Sequence, residues 1–195
     1  MLRKIHASLP NQAEIMKIIG FINMEHVYFK DARDACILSL LYYSGLKTHE
    51  LGELNLDSYS FETNTLKTVY KTRELNVLEK DILKRYLSLR KDSHKPFFIS
   101  VHNYNLINSG RYDEIKNLRL TDRSIQRSVK RVLQLFKINS NITPKDFRHL
   151  LGIRLASLGA SHKTLDEEMS KVGLWVKINY RSLGKKQKIS HHKAV

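Results

Sequence analysis

The stretch at residues 31–43, DARDACILSLLYY, constrains the fold more than any other part of the sequence. Its composition favours a helix, and that helix would be apolar on nearly every side. A helix of this kind has no face to offer to water, so it must lie inside a packed domain with other elements around it. Gly45 is a natural end for it. We therefore expect a folded domain built around one buried helix.

Helical spacing of apolar residues predicts several further helices. They are expected at residues 8–20, from Thr48, at 79–90, from Thr121, from Thr143 to Gly159, and at a capping box of Thr164 and Glu167 with an end at Gly173. Residues 61–78 differ, because Thr, Val and Tyr alternate there as in two or three short strands. Residues 101–120 look like a long polar connection. The expected fold class is α+β, mostly α-helical, with a small antiparallel β-sheet insertion.

The charge of the chain favours a polyanionic partner. Lys and Arg total 34 and Asp and Glu total 19, which gives a formal net charge of +15 over 195 residues. Such a field favours nucleic acid first and an anionic membrane surface second. Four cations on the helix from Thr121 are candidate phosphate contacts: Arg123, Arg127, Lys130 and Arg131. The alternative is that they form an ordinary solvated face on a core helix.

Other classes of protein are excluded by what the sequence lacks. Its single cysteine, Cys36, rules out a disulfide framework and a cysteine-based zinc site. The nine histidines show no ligand spacing, so we expect no metal. No apolar run is long enough to span a membrane, and the N-terminus has no signal core. A cytoplasmic, nucleoid-associated location, or the cytoplasm of a host cell, is the expectation.

Two segments carry a distinctive order of residue types. Residues 33–58 read RDACILSLLYYSGLKTHELGELNLDS, an apolar helix followed by Gly-Leu-Lys and a short helix. Residues 142–180 read ITPKDFRHLLGIRLASLGASHKTLDEEMSKVGLWVKINY, with Thr-Pro-Lys-x-x-Arg-His at the start and a Tyr at the end. A basic amphipathic helix precedes the second segment.

The spacing of four residues adds to this pattern. Lys71 follows Lys47 by 24 positions, and Tyr180 follows Arg148 by 32 positions. In the order of its motifs and in this spacing, the chain from about residue 9 to residue 180 resembles the catalytic domain of the tyrosine recombinase, or phage integrase, family. The resemblance implies that DNA is cut and rejoined through a covalent 3′-phosphotyrosyl link, without a metal or a high-energy cofactor.

The resemblance also assigns roles to residues of this chain. The implied catalytic residues are Tyr180, Arg148, Lys71, Lys145, Lys171 and Lys47, with Glu50 and His149 in support. Tyr180 would be the nucleophile, and cations around it would lower the pKa of its phenol. Lys71 would protonate the leaving 5′-oxygen. Lys145 and Arg148 stand at i and i+3 on one helix, so both can face one phosphate.

Three of these positions depart from the family pattern. Lys47 stands where the family has its first Arg, Lys145 where it has a His, and Lys171 where it has a His or Trp. Arg holds a phosphate with a planar fork, whereas Lys is a point charge on a flexible stem. We therefore expect slower cleavage or an altered geometry in the site.

The resemblance implies a domain plan and a partner. We expect a catalytic domain at 1–180 and a basic tail at 181–195, whereas the N-terminal core-binding domain that the family usually carries has no room in this sequence. Duplex DNA would be the partner, with dimers or tetramers forming on it, and the tail would dock on a neighbouring subunit or contact the DNA backbone. Two alternatives remain at this point: a degenerate relative that binds DNA without cutting it, and a basic RNA- or ribosome-associated protein.

Overall fold

A computed structural model describes residues 9–21, 27–90, 92–138, 141–169 and 176–184. The helices are α1 (Gln12–Phe21), α2 (Phe29–Ser39), α3 (Thr48–Glu53), α4 (Val77–Leu89), α5 (Val101–Asn108), α6 (Asp122–Leu135), α7 (Pro144–Ser157), α8 (His162–Met169) and α9 (176–184). Single 3-10 turns lie at Leu56–Ser58 and Tyr112–Glu114. The strands are β1 (Tyr59–Ser60), β2 (Thr65–Lys67) and β3 (Thr72–Glu74). The predicted fold class, mostly helical with a small antiparallel sheet, is confirmed. Within the described residues, no helix is long and apolar enough to cross a membrane.

The apolar stretch forms the central helix, as its composition predicts. Nearly all of α2 is buried, and it packs against α4 on one side and α6 on another. The helix continues as a π-helical turn over Leu40–Ser44. Gly45 then ends it with a φ of 60°, in the left-handed region that favours glycine. A Cβ atom at Gly45 would also collide with the side chain of Leu151 on α7.

A buried ion network joins α2 to α6. Asp34 is fully buried, and its carboxylate accepts hydrogen bonds from Arg33 at 2.6 Å and from Arg131 at 2.8 Å. Arg131 also pairs with Asp31 at 2.9 Å. A buried carboxylate left without a partner is strongly destabilising, so these pairs hold α6 on α2. Arg131 is thus occupied in packing, which removes it from the predicted set of phosphate contacts.

The small sheet is a three-stranded antiparallel meander. Tyr59 of β1 pairs with Leu66 of β2, which in turn pairs with Arg73 of β3. Leu66 is fully buried and anchors the sheet to the helices. The turn between β2 and β3 is organised by Thr68, whose hydroxyl accepts a hydrogen bond from the backbone N–H of Lys71 at 3.1 Å. The predicted strands are confirmed, and Lys71 lies in this turn.

One helix was missed in the sequence. The predicted polar connection at 101–120 contains α5, whose first turn is capped by Ser100: its hydroxyl accepts the backbone N–H of Asn103 at 3.0 Å. Leu106 and Ile107 of this helix are buried. Asparagine favours turns in isolated sequence, and here tertiary burial of two apolar residues overrides that preference.

The last two helices also differ from prediction at their ends. Helix α8 begins at His162, and the hydroxyl of Ser161 accepts the N–H of Thr164 at 3.0 Å, so the predicted capping box does not form. Residues 176–184 form one helix, which crosses the predicted boundary between catalytic domain and tail at residue 180. Residues 185–195 and Gly173 lie outside the described residues.

Helix α9 rests on α7 at a glycine. A Cβ atom at Gly152 would collide with the ring of Tyr180 and would lie 2.7 Å from Sδ of Met169. Tyr180 and Leu183 of α9 pack with Ile153, Leu165 and Met169 in a small cluster of their own. The absence of a side chain at Gly152 is therefore what lets the ring of Tyr180 approach the helix backbone.

We expect Gly152→Ala to destabilise the protein by about 1–3 kcal/mol, the usual range for overpacking a filled core site. Chemical denaturation followed by circular dichroism measures the free energy of unfolding. Gly20→Ala is the matched control, because a Cβ atom there meets nothing within 4 Å and should be neutral or stabilise by about 0.4–1 kcal/mol. Equal stability of the two variants would contradict the packing described here.

Candidate active site

Four cations from three helical regions line one cleft. The cleft has a volume of about 600 Å³ and lies between the N-terminal ends of α3 and α7 and one face of α6. Its basic lining residues are Lys47, Lys130, Lys145 and Arg148. Among the described residues, no carboxylate forms an ion pair with the ammonium of Lys47, Lys130 or Lys145. The cleft therefore presents positive charge that no side chain in that part of the chain neutralises.

The local sequence explains how two of these cations reach the cleft. Thr143 precedes α7 and donates its backbone N–H to the carboxylate of Asp146 at 2.8 Å, while Pro144 occupies the first turn. This cap starts the helix so that Lys145 and Arg148, one turn apart, both line the cleft, as their i and i+3 spacing predicts. The N-terminus of a helix is itself favourable to an anion, which adds to their charge.

Glu50 fixes the position of Lys47 through the backbone. Lys47 directly precedes α3, and its backbone N–H donates to the carboxylate of Glu50 at 2.5 Å. Glu50 is buried, with 7% of its surface exposed. Glu50 thus caps the N-terminus of α3 and fixes the backbone of Lys47 at that end of the helix. Its supporting role was expected from the sequence, and the contact is with the main chain of Lys47.

Arg148 is held by main-chain carbonyls from two other segments. Its Nη1 donates to the carbonyl of Gly45 at 3.0 Å, and its Nη2 donates to the carbonyl of Met169 at the end of α8. The guanidinium is half-buried and still borders the cleft. A planar group with two of its edges fixed in this way has little freedom to rotate, so its charge is preorganised.

Tyr180 lies in the interior against His149. Its hydroxyl is 2.7 Å from Nδ1 of His149, and 1% of the residue is exposed. Burial raises the pKa of Tyr180 to about 12, and the charge of Arg148 only partly offsets that effect. The expectation that nearby cations lower this pKa is therefore wrong for this conformation. Desolvation of the phenolate outweighs the attraction of the cations.

His149 is placed to accept the proton of that hydroxyl. Burial lowers the pKa of its imidazole, and the charges of Lys145 and Arg148 lower it further against the opposing effect of Asp146. A neutral imidazole has one nitrogen that accepts a hydrogen bond, and Nδ1 can take that role towards the phenol. His149 and Tyr180 thus form a neutral donor and acceptor pair.

Lys71 is bound to α8 and does not line the cleft. Its ammonium donates to the carboxylate of Glu168 at 2.9 Å and to the main-chain carbonyl of Glu168 at 3.2 Å. Arg73 on β3 forms an ion pair with the same carboxylate. Lys71, the predicted proton donor, is therefore paired with a carboxylate. We call the cluster of Lys71, Arg73 and Glu168 the Glu168 clasp.

The remaining predicted residues fall in different places. Arg123 and Arg127 are exposed on α6, and Lys130 lines the cleft on the same helix. Lys171 lies outside the described residues. Glu168 and Gly152 were missed, because nothing in a helical glutamate or glycine identifies its distant partner in the sequence. Within the described part of the chain, no group of three His, Cys, Asp or Glu could hold a metal ion.

The family model named Phage integrase family matches residues 11–170. Tyrosine recombinase XerC of Thermodesulfovibrio yellowstonii is 26% identical over 151 residues, an alignment that covers 75% of this chain and 48% of that protein. The chain spans between 48% and 61% of the length of three curated relatives that it matches.

Solved structures share the fold at low sequence identity. The crystal structure of XerA recombinase is similar with a TM-score of 0.71 and 16% identity, over 94% of this chain and 62% of that one. The Tn1549 transposon integrase in complex with circular intermediate DNA is similar with a TM-score of 0.64 and 19% identity, over 89% of this chain and 60% of that one.

We expect the stabilising effect of His149 to depend on pH. Its pKa is lower in the folded protein than the value of about 6.5 in an unfolded chain. The unfolded state therefore takes up more protons as the pH falls through that value, and folding stability is lost. Urea denaturation of wild type and His149→Asn between pH 8 and pH 5 measures this loss. The stability advantage of wild type should shrink on acidification, and a constant or growing advantage would contradict the assignment.

Proposed function

Because this chain belongs to the phage integrase family, we propose that it is a site-specific DNA recombinase that cleaves and rejoins duplex DNA through a covalent tyrosine link. The observation that carries the proposal is the convergence of four cations on one cleft. One of them, Arg148, is held by main-chain carbonyls and directly precedes His149, which contacts Tyr180. The proposal covers duplex DNA as substrate and phosphodiester transfer as the reaction.

The cleft supplies what a phosphodiester needs when no metal ion takes part. Attack on phosphorus places negative charge on the two non-bridging oxygens, and fixed cations stabilise that charge. Arg148 would hold one oxygen with its oriented fork, while Lys47 and Lys145 would act as point charges. Lys130, Arg123 and Arg127 would contact backbone phosphates further along the duplex. The cleft lining supports the assignments of Lys47, Lys130, Lys145 and Arg148. Arg123 and Arg127 are included because they are exposed on the same helix as Lys130.

Tyr180 is the proposed nucleophile. Its oxygen would attack phosphorus while its proton passes to His149, and the bond from phosphorus to the 5′-oxygen would break. Lys71 would give a proton to that leaving oxygen. The product is a 3′-phosphotyrosyl link and a free 5′-hydroxyl, so protons and charges balance. The reverse steps would reseal the DNA, without external energy.

The arrangement described here corresponds to a resting state. Tyr180 is buried with a raised pKa, and Lys71 is held in the Glu168 clasp. Both groups must move before they can act on a phosphate in the cleft. Bound DNA would bring a phosphate that competes with Glu168 for the ammonium of Lys71, and a stronger attraction to that phosphate would release Lys71 from the clasp. An enzyme regulated in this way avoids cutting outside the assembled complex.

The partners and place of action are part of the same proposal. The Tn1549 integrase is described in complex with DNA, and by analogy this chain would bind duplex DNA and form dimers or tetramers on it. It would act at the nucleoid of its own cell or of a host cell. Family membership argues against the RNA- or ribosome-associated alternative, whereas DNA binding without cleavage is an outcome that the following experiment can detect.

The protein should form a covalent adduct with DNA that depends on Tyr180. The target site is unknown, so the substrate is a pool of nicked duplexes of randomised sequence, in which the nick traps the cleaved strand. Covalent complexes are recovered after denaturation in detergent and sequenced. Tyr180→Phe should reduce recovery to background, and the exposed Tyr28→Phe should not change it. DNA binding by wild type with no adduct would leave only the non-cutting alternative.

Glu168→Gln should speed adduct formation, because it weakens the hold on Lys71. The pair is partly exposed and worth about 0.2–1 kcal/mol, so we expect an increase of up to about fivefold in rate. Glu167→Gln is the control on the same helix, since its carboxylate pairs with the exposed Lys163 and with no other cation in the described part of the chain. If Glu168→Gln is slower than wild type while Lys71→Ala is inactive, the clasp positions Lys71 for reaction and the resting-state interpretation is wrong.

A further inference from the structure

Tyr70 places an aromatic ring beside a cation of the cleft. It lies in the turn between β2 and β3 and is 64% exposed. The Nζ atom of Lys47 lies 5.6 Å from the centroid of its ring. The imidazole of His49 meets the same ring edge-on, with centroids 6.4 Å apart. An exposed tyrosine ring thus faces one particular ammonium.

We propose that Tyr70 is a positioning residue for Lys47, which it holds towards the phosphate of the cleft by a cation–π contact. The inference deepens the proposed function and rests on it for its catalytic meaning. It concerns Lys47, which stands where the family has its first Arg. Tyr70 itself would not touch the reacting atoms.

The physical need for such a residue follows from the chemistry of lysine. A lysine side chain is flexible, and unlike Arg148 the ammonium of Lys47 is held by no main-chain carbonyl among the described residues. A carboxylate would orient the ammonium but would also cancel the charge that the phosphate requires. The face of an aromatic ring attracts the ammonium within about 6 Å and leaves its full charge available.

The backbone of the turn keeps the ring in place. The hydroxyl of Thr68 accepts hydrogen bonds from the backbone N–H groups of Tyr70 at 3.3 Å and Lys71 at 3.1 Å. Tyr70 reaches Lys47 at the cleft, while the next residue reaches Glu168 on α8. One turn therefore carries both the aromatic partner of Lys47 and the proposed proton donor.

The contacts of Tyr70 in the described part of the chain come from its ring and its backbone N–H. Tyr70→Phe should therefore keep the contact with Lys47, whereas Tyr70→Leu should lose it, although leucine fills a similar volume. Both changes are on the surface, so neither should affect folding. This pair of variants separates the effect of the π face from the effect of bulk.

The first test needs no DNA and no activity. Nuclear magnetic resonance of the lysine ε-methylene groups, with Lys47 assigned by its loss in Lys47→Arg, detects the ring current of Tyr70. The Lys47 signal should be shifted upfield in wild type and Tyr70→Phe and should return to the ordinary lysine position in Tyr70→Leu. An unshifted Lys47 signal in wild type would overturn the contact, whatever the protein does to DNA.

The second test measures the rate of Tyr180 adduct formation at saturating DNA, with a nicked site selected from the randomised pool. Tyr70→Leu should lower this rate about twofold to fivefold, which corresponds to about 0.4–1 kcal/mol. Tyr70→Phe should keep the wild-type rate. Equal rates in all three proteins, or equal losses in both variants, would overturn the positioning role. If wild type forms no adduct, the proposed function fails instead, and the resonance of Lys47 alone decides whether the contact exists.

Discussion

The guanidinium of Arg148 is the interaction on which the site depends. It joins the carbonyl of Gly45, at the end of the central helix, to the carbonyl of Met169, at the end of α8, and it borders the cleft from the first turns of α7. Hydrogen bonds to these two carbonyls fix a planar group that cannot lose its charge. The end of the central helix, α7 and the end of α8 are therefore joined by one cation, which borders the cleft.

The cations of this chain fall into two electrostatic classes. Arg131 and Arg73 are paired with carboxylates and hold α6 on α2 and the hairpin on α8, respectively. Lys47 and Lys145 line a cleft in which no described carboxylate pairs with them. Among the described residues the cations are thus distributed unequally, with several that lack a carboxylate partner gathered in this cleft. Lys71 belongs to the paired class, since its ammonium contacts the carboxylate of Glu168.

Much of the fold was predictable because its signals are local. The apolar stretch of α2 allows only a buried helix, and the Thr-Pro start of α7 places Lys145 and Arg148 on one face. Helix α5 was missed because its asparagines favour turns, whereas the burial of Leu106 and Ile107 that stabilises the helix depends on tertiary contacts. The direction of the pKa shift of Tyr180 was wrong because the sequence shows how many cations are near but not how much water is excluded. In the sequence, Arg131 is indistinguishable from the other basic residues of α6, and only the tertiary structure shows its ion pairs with Asp31 and Asp34 on α2.

The sequence by itself determined the order of elements, the excess of positive charge and the spacing of Lys47, Lys71, Arg148 and Tyr180, because each is a property of residue type and position along the chain. Tertiary structure alone decided which of these groups meet. It paired Lys71 with Glu168, placed Tyr180 over Gly152 and set the ring of Tyr70 beside Lys47. Contacts between distant segments depend on packing and desolvation, which no local pattern of residues encodes.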